Sequence, residues 1–293
     1  MEWKNQFVEA LVDRALREDI ATGDTTTRLT VNPSLRATAT ILARQDMVVC
    51  GIGCTSAFLD RFASYDSGSA SHYEVVSHPE IFDGVLVRNG QPLAVIRHHA
   101  QALLSCERVI LNLLQHLSGI ATLTRRYADA IRGTSARVLD TRKTIPGLRM
   151  LEKYAVVCGG GTNHRLDLSD GILIKNNHIA LGGGIRRVLE KSLAARPSGK
   201  RVQIEVRSME ELNEALTAGA EAVLLDNMTP EQVAACVQRI RSEDRWIPTE
   251  ASGGIVLENI RAYAETGVDF ISVGALTHSA PAADISMRIV ATE

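Results

Sequence analysis

Residues 202–226 read VQIEVRSMEELNEALTAGAEAVLLD, and this stretch decides the fold. A short apolar run over 202–204 precedes a helical pattern over 209–218, and a second apolar run follows over 222–225. Strand, amphipathic helix and strand in this order predict a β-α-β unit with two parallel strands. Each apolar run ends in an acid, Glu205 or Asp226.

The same alternation continues on both sides of this unit. Further strand-like runs occupy residues 136–140, 171–174, 246–250 and 270–273. Further helical patterns occupy residues 186–195, 230–241 and 257–265. Polar or small residues follow nearly every strand-like run. Because the strands of a parallel barrel all end at one face, this pattern favours a partial α/β barrel of about six strands over a doubly wound sheet.

The first part of the chain has a different pattern. Its helical segments are predicted over 6–19 and 102–121, the second ending in a Ser-Gly turn. Its strand-like segments are predicted over 37–43, 47–49, 85–88 and 93–97, with a turn at 89–92 between the last two. This mixture predicts an N-terminal α/β domain with an antiparallel sheet over residues 1–115, followed by the barrel domain over 116–276.

Composition limits the classes of partner. The 293 residues carry a formal net charge of −2, and no Lys/Arg-rich tail points to nucleic acid. The N-terminus lacks a signal-peptide pattern, and no apolar run approaches the roughly 20 residues of a membrane span. The five scattered cysteines form no CxxC pair, so we expect free thiols and a cytoplasmic protein.

Seven of the basic residues between positions 142 and 178 form a cluster. They are Arg142, Lys143, Arg149, His164, Arg165, Lys175 and His178. Because these residues follow strand-like runs, we expect them at the mouth of the barrel rather than on a solvated surface. Arginine suits bidentate recognition of carboxylate or phosphate, so the cluster predicts a site for a polyanion.

Acids and glycines at other strand ends extend this predicted site. Glu205 and Asp226 have the chemistry to hold ribose hydroxyls or a hydrated Mg²⁺, whereas no zinc ligand set is visible. Glycines follow two successive strands, in the segments 252–254 and 273–275, and such turns often bind phosphate in barrels. Lys175 permits a rival interpretation, since a lysine that ends a barrel strand can form a Schiff base.

Fifteen short motifs resemble the quinolinate phosphoribosyltransferase family over most of the chain. They are residues 17–20 (REDI), 23–26 (GDTT), 107–108 (ER), 111–112 (LN), 117–122 (LSGIAT), 140–144 (DTRKT), 146–149 (PGLR), 152–156 (EKYAV), 158–161 (CGGG), 163–165 (NHR), 173–175 (LIK), 177–179 (NHI), 225–228 (LDNM), 250–255 (EASGGI) and 271–276 (ISVGAL). Residues Ile145, Asn176 and Arg207 and the pair His98-His99 depart from the family pattern, and Asn176 and Arg207 are expected to make the rim of the site more positive.

The resemblance implies a reaction and an assembly. Quinolinate and phosphoribosyl pyrophosphate would give nicotinate mononucleotide, pyrophosphate and CO₂ with Mg²⁺, in NAD biosynthesis. The fold would be an N-terminal α/β sandwich plus a partial barrel, with the segment 277–293 returning to the first domain. The chain would form a homodimer, or a higher oligomer, whose active site is shared between subunits.

The resemblance also assigns roles to individual residues. Arg142, His164, Arg165 and Lys175 would hold the two quinolinate carboxylates. Arg108 would reach the site from the other subunit, while Lys143, followed by Thr144, would face pyrophosphate. Glu205 and Asp226 would hold the ribose hydroxyls and, directly or through water, the metal, and together with Lys143 they would be the catalytic residues. The 5′-phosphate would be cradled by Ser252, Gly253, Gly254, Val273, Gly274 and Ala275.

Four alternatives remain at this point. They are a paralogue from molybdate-transport operons, an enzyme that takes nicotinate itself, a Schiff-base lyase that uses Lys175, and a non-catalytic anion-binding subunit. The motifs 141–144 and 174–178 resemble the quinolinate enzyme more than the molybdate-operon paralogue.

Overall fold

The computed structural model describes residues 1–64, 72–243 and 246–292. The chain forms two compact units. The first unit comprises residues 1–123, 157–160 and 280–293, and the second comprises residues 124–156 and 161–279.

The described residues contain helices and strands in the following places. The helices are α1 (Gln6–Ile20), α2 (Thr25–Thr30), α3 (Cys54–Phe62), α4 (Ala100–Ala130), α5 (Arg149–Cys158), α6 (Asn176–Gly182), α7 (Ile185–Ala195), α8 (Met209–Thr217), α9 (Pro230–Arg241), α10 (Ile260–Ala264) and α11 (Ala275–His278). The strands are β1 (Arg36–Ala43), β2 (Met47–Val48), β3 (Glu74–Val76), β4 (Leu86–Val87), β5 (Pro92–His99), β6 (Arg137–Leu139), β7 (Ile172–Ile174), β8 (Val202–Val206), β9 (Ala222–Asp226), β10 (Thr249–Ser252), β11 (Phe270–Ser272) and β12 (Ile285–Ala291).

The first unit is built on an antiparallel sheet with the strand order β12-β1-β5-β3. Along β1 the side chains alternate between buried and more exposed positions, the pattern of a sheet with one face in the core. The predicted turn before β5 is present, but β4 pairs with β2 rather than with β5. The strand β12, from the far end of the chain, pairs with β1 from Ala37↔Ala291 to Ala43↔Ile285.

The predicted end of the long helix at a Ser-Gly turn is wrong, because α4 continues through Gly119 to Ala130. A Cβ atom at position 119 would lie 2.1 Å from the carbonyl oxygen of Pro281. Glycine is therefore needed here for the close approach of a neighbouring backbone, and not for a turn.

The second unit contains six parallel strands in the order β6-β11-β10-β9-β8-β7. Its strands are short and apolar, and Ile204, Val223 and Ile271 are fully buried, as expected for a parallel sheet covered by helices. This sheet confirms the predicted partial barrel of six strands. The helix predicted over 257–265 is shorter, and the strand predicted over 246–250 begins later, at Thr249.

All five cysteines are free thiols. None of the helices in the described part of the chain combines the length and the apolar character needed to cross a bilayer.

Candidate active site

The carboxyl ends of the parallel strands surround a cavity of about 630 Å³ in the second unit. Strand residues form its floor, and the loops that follow the strands form its wall. The predicted site residues that line it are Arg142, Lys143, His164, Arg165, Lys175, Glu205, Asp226, Ser252, Gly253, Gly254, Gly274 and Ala275. Residues separated by more than 130 positions thus meet in one cavity, as the barrel interpretation requires.

Three cations in the cavity form no ion pair within 4 Å in the described part of the chain: Arg142, Lys143 and Arg165. Nε of Arg142 is buried without a hydrogen-bond partner there. Burial lowers the pKa of Arg165, and the neighbouring charge of Arg142 lowers it further. An unpaired buried donor costs about 1–3 kcal/mol, so an anionic ligand that bonds to it would recover that cost.

The two acids at the strand ends are tied to cations of their own. Nε of Arg207 donates to Asp226 (3.1 Å), and Nη2 of Arg207 lies 3.5 Å from Glu205. Nζ of Lys175 lies 3.8 Å from the other oxygen of Glu205. Arg207 therefore pairs with both acids, and the expectation that it makes the rim more positive stays a prediction.

A buried ion pair supports the loop that carries His164 and Arg165. Lys153 on α5 donates to Asp140, which directly follows β6, and both side chains are almost fully buried. Lys153 also donates to the carbonyl oxygen of His164 (3.0 Å), and Asp140 accepts from the backbone N–H of His164 (2.8 Å). The loop is thus fixed to the barrel through main-chain bonds.

Both ring nitrogens of His164 are engaged with the protein. Nδ1 accepts from the backbone N–H of Arg165 (2.7 Å), and Nε2 lies 3.3 Å from a carboxylate oxygen of Glu250. A direct bond between His164 and a substrate carboxylate would require the imidazole to give up one of these contacts.

The turn after β10 is built from left-handed backbone. Gly253 and Gly254 have φ values of +96° and +64°, and Asn227, after β9, has a φ of +55°. The backbone N–H of Asn227 donates to the carbonyl oxygen of Ser252 (2.8 Å). The turns after β9 and β10 are therefore coupled, and they bring Asp226 and the glycines to the same part of the cavity wall.

Sequence comparison identifies both parts of the chain. The family model of the quinolinate phosphoribosyl transferase C-terminal domain matches residues 120–288, and the model of its N-terminal domain matches residues 24–118. The chain belongs to the quinolinate phosphoribosyltransferase family.

Individual relatives of this quinolinate phosphoribosyltransferase family member carry one of two names. The nicotinate-nucleotide pyrophosphorylase [carboxylating] of Mycobacterium leprae is 43% identical, over 95% of both chains. Quinolinate phosphoribosyltransferase [decarboxylating] 1b of Nicotiana tabacum is 35% identical, over 96% of this chain and 82% of the tobacco chain. The solved nicotinate-nucleotide pyrophosphorylase of Francisella tularensis has a TM-score of 0.88 at 38% identity and covers 99% of this chain and 98% of its own. The resemblance predicted from the motifs is confirmed.

Some predicted residues of the quinolinate phosphoribosyltransferase site do not line the cavity. Val273 is buried. The hydroxyl of Thr144 accepts from Nε of Arg149 (3.0 Å), and neither of these two residues lines the cavity. His178 caps α6, since its Nδ1 accepts from the backbone N–H of Lys175 (2.9 Å). Arg108 belongs to the first unit, where it is exposed on α4. Its role stays a prediction.

Other cavity residues of this family member were not predicted. They are Thr141, Leu173, Leu224, Asn227, Glu250, Ile255, Val256, Ser272 and His278. Glu250 is the most notable, because it is a fully buried acid within a strand. Its signal in the sequence is a charged residue at the end of the strand-like run 246–250.

Glu205 and Asp226 would suit a magnesium ion whose other ligands are mostly water and substrate oxygens. No group of three or more His, Cys, Asp and Glu side chains in residues 1–64, 72–243 and 246–292 is arranged to hold a metal. Glu205 and Asp226 share the cavity, and Mg²⁺ is commonly held by one or two carboxylates together with substrate phosphates. The residues therefore fit indirect binding better than a complete protein cage.

Replacing Gly253 with alanine tests the turn after β10. A Cβ atom there would lie 2.2 Å from Oδ1 and 2.9 Å from the backbone nitrogen of Asn227. Gly254→Ala is the matched control, because its φ is also positive but no atom lies within 4 Å. We expect urea denaturation to show a free energy of unfolding about 1–3 kcal/mol lower for Gly253→Ala than for Gly254→Ala. Equal values would mean that the contact with Asn227 relaxes freely.

Proposed function

We propose that this chain transfers the phosphoribosyl group of phosphoribosyl pyrophosphate to quinolinate, with loss of CO₂, to give nicotinate mononucleotide and pyrophosphate in NAD biosynthesis. The observation that carries this proposal is the set of unpaired cations in the cavity, above all the unpartnered buried Nε of Arg142. Membership of the family and the names of its relatives support the same reaction.

The acid substrate binds on the Arg142 side of the cavity. Arg142 and Arg165 are close enough for one charge to lower the pKa of the other, so each is poised to bond an anion. Lys175 supplies a third cation from the end of β7. Quinolinate has two carboxylates and therefore uses this density of positive charge better than a monocarboxylate does.

The phosphoribosyl donor binds on the side of the acids and glycines. Glu205 and Asp226 hold ribose hydroxyls, while the turns at 252–254 and 274–275 receive the 5′-phosphate. Lys143 faces the pyrophosphate, and the hydroxyl of Thr277 fixes its main chain by donating to the carbonyl oxygen of Lys143 (2.8 Å). Bound Mg²⁺ supplies positive charge to the pyrophosphate group.

The chemistry requires positioning and charge rather than a covalent enzyme nucleophile. The ring nitrogen of quinolinate attacks the anomeric carbon as pyrophosphate leaves with its bonding electrons. Lys143 offsets the negative charge on that leaving group, and Glu205 and Asp226 favour the positive charge that develops on the ribose. The alkylated ring nitrogen is positive, so it stabilises the carbanion left when the adjacent carboxylate departs as CO₂. That carbon then takes up a proton from solvent, which gives nicotinate mononucleotide.

A direct assay tests the proposal. Purified protein with quinolinate, phosphoribosyl pyrophosphate and Mg²⁺ should release nicotinate mononucleotide and pyrophosphate in equal amounts. The same assay with nicotinate in place of quinolinate is the control for substrate identity. Activity with nicotinate but not with quinolinate would show that nicotinate is the acid substrate. Absence of product with both acids would refute the proposed reaction.

A change at Lys175 tests the proposed carboxylate role. The Lys175→Ala variant should raise KM for quinolinate by about 10- to 100-fold, the cost of losing one charge-assisted hydrogen bond of about 1.5–3 kcal/mol. Its KM for phosphoribosyl pyrophosphate should change little. Steady-state kinetics with each substrate varied in turn measures both values, and an unchanged KM for quinolinate would contradict the role.

The structure does not favour a Schiff-base lyase. The side chain of Lys175 is 49% exposed and lies 3.8 Å from Glu205, whereas a Schiff-base lysine must present a neutral amine. Borohydride should therefore trap no carbonyl substrate on this lysine.

We propose further that the working form is a cytoplasmic homodimer whose subunits share each active site. Arg108 is an exposed cation on α4, and it is the residue proposed to enter the partner's cavity. Arg108→Ala should lower kcat/KM at least tenfold, while mixed dimers of Arg108→Ala and Lys175→Ala chains should recover up to about one quarter of wild-type activity. Failure of mixing to restore activity would count against a shared site.

A further inference from the structure

Glu250 is a buried carboxylate at the floor of the cavity that the proposed chemistry does not use. It lies in the middle of β10, its side chain is 4% exposed, and it lines the cavity beneath the cations. An isolated charge in such a place is costly unless hydrogen bonds compensate it. Its surroundings therefore indicate what it does.

Three donors surround the Glu250 carboxylate. Nε2 of Gln203 donates to Oε2 (2.7 Å), the hydroxyl of Ser272 donates to Oε1, and Nε2 of His164 lies 3.3 Å from Oε2. Both carboxylate oxygens of Glu250 face donors, so the contacts place Glu250 as a hydrogen-bond acceptor.

This arrangement determines the proton on His164. The backbone N–H of Arg165 is a donor, so Nδ1 of His164 must accept and carries no proton. Nε2 must then carry the proton, because it faces an acceptor in Glu250. A protonated imidazolium would place two donors against each other at Nδ1, so the contacts select the neutral Nε2–H tautomer.

The Nε2–H tautomer of His164 affects the acid-binding side of the cavity through its bond to Arg165. The imidazole holds the Arg165 main chain at Nδ1, while Nη1 of Arg165 donates to the carbonyl oxygen of Gly171 (3.3 Å). The negative charge of Glu250 also favours the charged form of Arg165, against the effects of burial and Arg142. Glu250 thus acts on Arg165 both by geometry and by charge.

We propose that Glu250 is a positioning residue for the acid substrate: it selects the His164 tautomer that holds Arg165 in place, and His164 acts through Arg165 rather than by bonding the substrate through a ring nitrogen. This inference rests on the proposed function for its substrate. Partner groups that orient a ligating histidine in this way contribute about 10- to 100-fold to affinity or activity in metal sites.

The first measurement needs no variant at Glu250. Long-range ¹H–¹⁵N correlations of protein labelled with ¹⁵N-histidine report the tautomer of each imidazole, and the His164 signal is the one that disappears in His164→Asn. We expect a protonated Nε2 and an unprotonated Nδ1 in the wild-type chain. An Nδ1–H tautomer or an imidazolium at neutral pH would overturn the proposal, whether or not the chain has transferase activity.

The second measurement replaces the carboxylate. Glu250→Met keeps a side chain of similar length but offers no carboxylate oxygen to Nε2, which removes the reason for the Nε2–H tautomer. We expect the Kd for quinolinate, by calorimetry, to rise about 10- to 100-fold with a changed His164 spectrum and an unchanged Kd for phosphoribosyl pyrophosphate. Ser272→Ala is the control, because it removes a donor to the other carboxylate oxygen without touching His164.

A double-mutant cycle separates positioning from a general loss of structure. His164→Asn retains an acceptor for the Arg165 N–H but has no Nε2, so Glu250→Met should cost little additional quinolinate affinity in that background. Full additivity of the two losses, or equal losses for both substrates, would show that Glu250 acts on the fold as a whole and would overturn the proposal.

Discussion

The Arg165→Met variant is expected to lose quinolinate affinity by about 100- to 1,000-fold. Methionine keeps the aliphatic stem but removes the planar donor group that recognises a carboxylate. Two charge-assisted hydrogen bonds together contribute about 3–4 kcal/mol, and each 1.4 kcal/mol changes Kd tenfold. Isothermal titration calorimetry with quinolinate, and separately with phosphoribosyl pyrophosphate, measures the effect.

The stability of the Arg165→Met variant should not follow its affinity. The positive charges of Arg165 and Arg142 repel one another, so removal of one charge removes this unfavourable electrostatic energy from the unliganded protein. We expect the Tm of the unliganded variant not to fall. Arg186→Met is the matched control, since Arg186 is exposed on α7 and its side chain forms an ion pair with Glu190 at 3.9 Å. A drop in affinity for both substrates together with a lower Tm would indicate unfolding rather than loss of recognition.

The Lys153→Met variant is expected to show the largest loss of stability. The side chain of Lys153 is 3% exposed and that of its partner Asp140 is fully buried. Removal of one member of a buried ion pair leaves the other charge uncompensated, which costs about 3–5 kcal/mol. Lys4→Met is the control, because Lys4 forms an exposed ion pair with Asp60 whose loss should be close to neutral. Urea denaturation measures both free energies.

The loss in Lys153→Met should depend on pH in a defined direction. Burial raises the pKa of Asp140 even with Lys153 beside it, and removal of the ammonium group raises it further. Between the unfolded and the folded pKa, the folded variant binds more protons than the unfolded chain, so its stability increases as the pH falls through that interval. Stability that decreases on acidification, relative to the wild-type chain, would contradict the assignment of Asp140 as the uncompensated charge.

The succession of strands and helices along the barrel domain and the location of the cavity were predictable from sequence, because both follow from local patterns. Apolar runs of three to five residues alternate with amphipathic helices, and the polar residues after each run must lie at one face. Glu205 and Asp226 were predicted on this basis alone, and both line the cavity.

The pairing of charges was not predictable, because it depends on distances between different strands and loops. Arg207 follows Glu205 by two positions, yet it also reaches Asp226 on the next strand. Arg149 and His178 belong to the same basic cluster as Arg142, but local hydrogen bonds direct them to Thr144 and to the start of α6. Charge density in the sequence therefore indicated the site but not which cations remain unpaired.

The pairing of β12 with β1 has a consequence for biosynthesis. The first unit contains residues 1–123 and also residues 280–293, so one edge of β1 has no partner until β12 leaves the ribosome. An open strand edge is a template for aggregation, and long-range pairing is slow to form. The first unit is therefore completed after the second unit. Chains truncated before Ile285 should depend on chaperones even though every residue of the cavity has been synthesised.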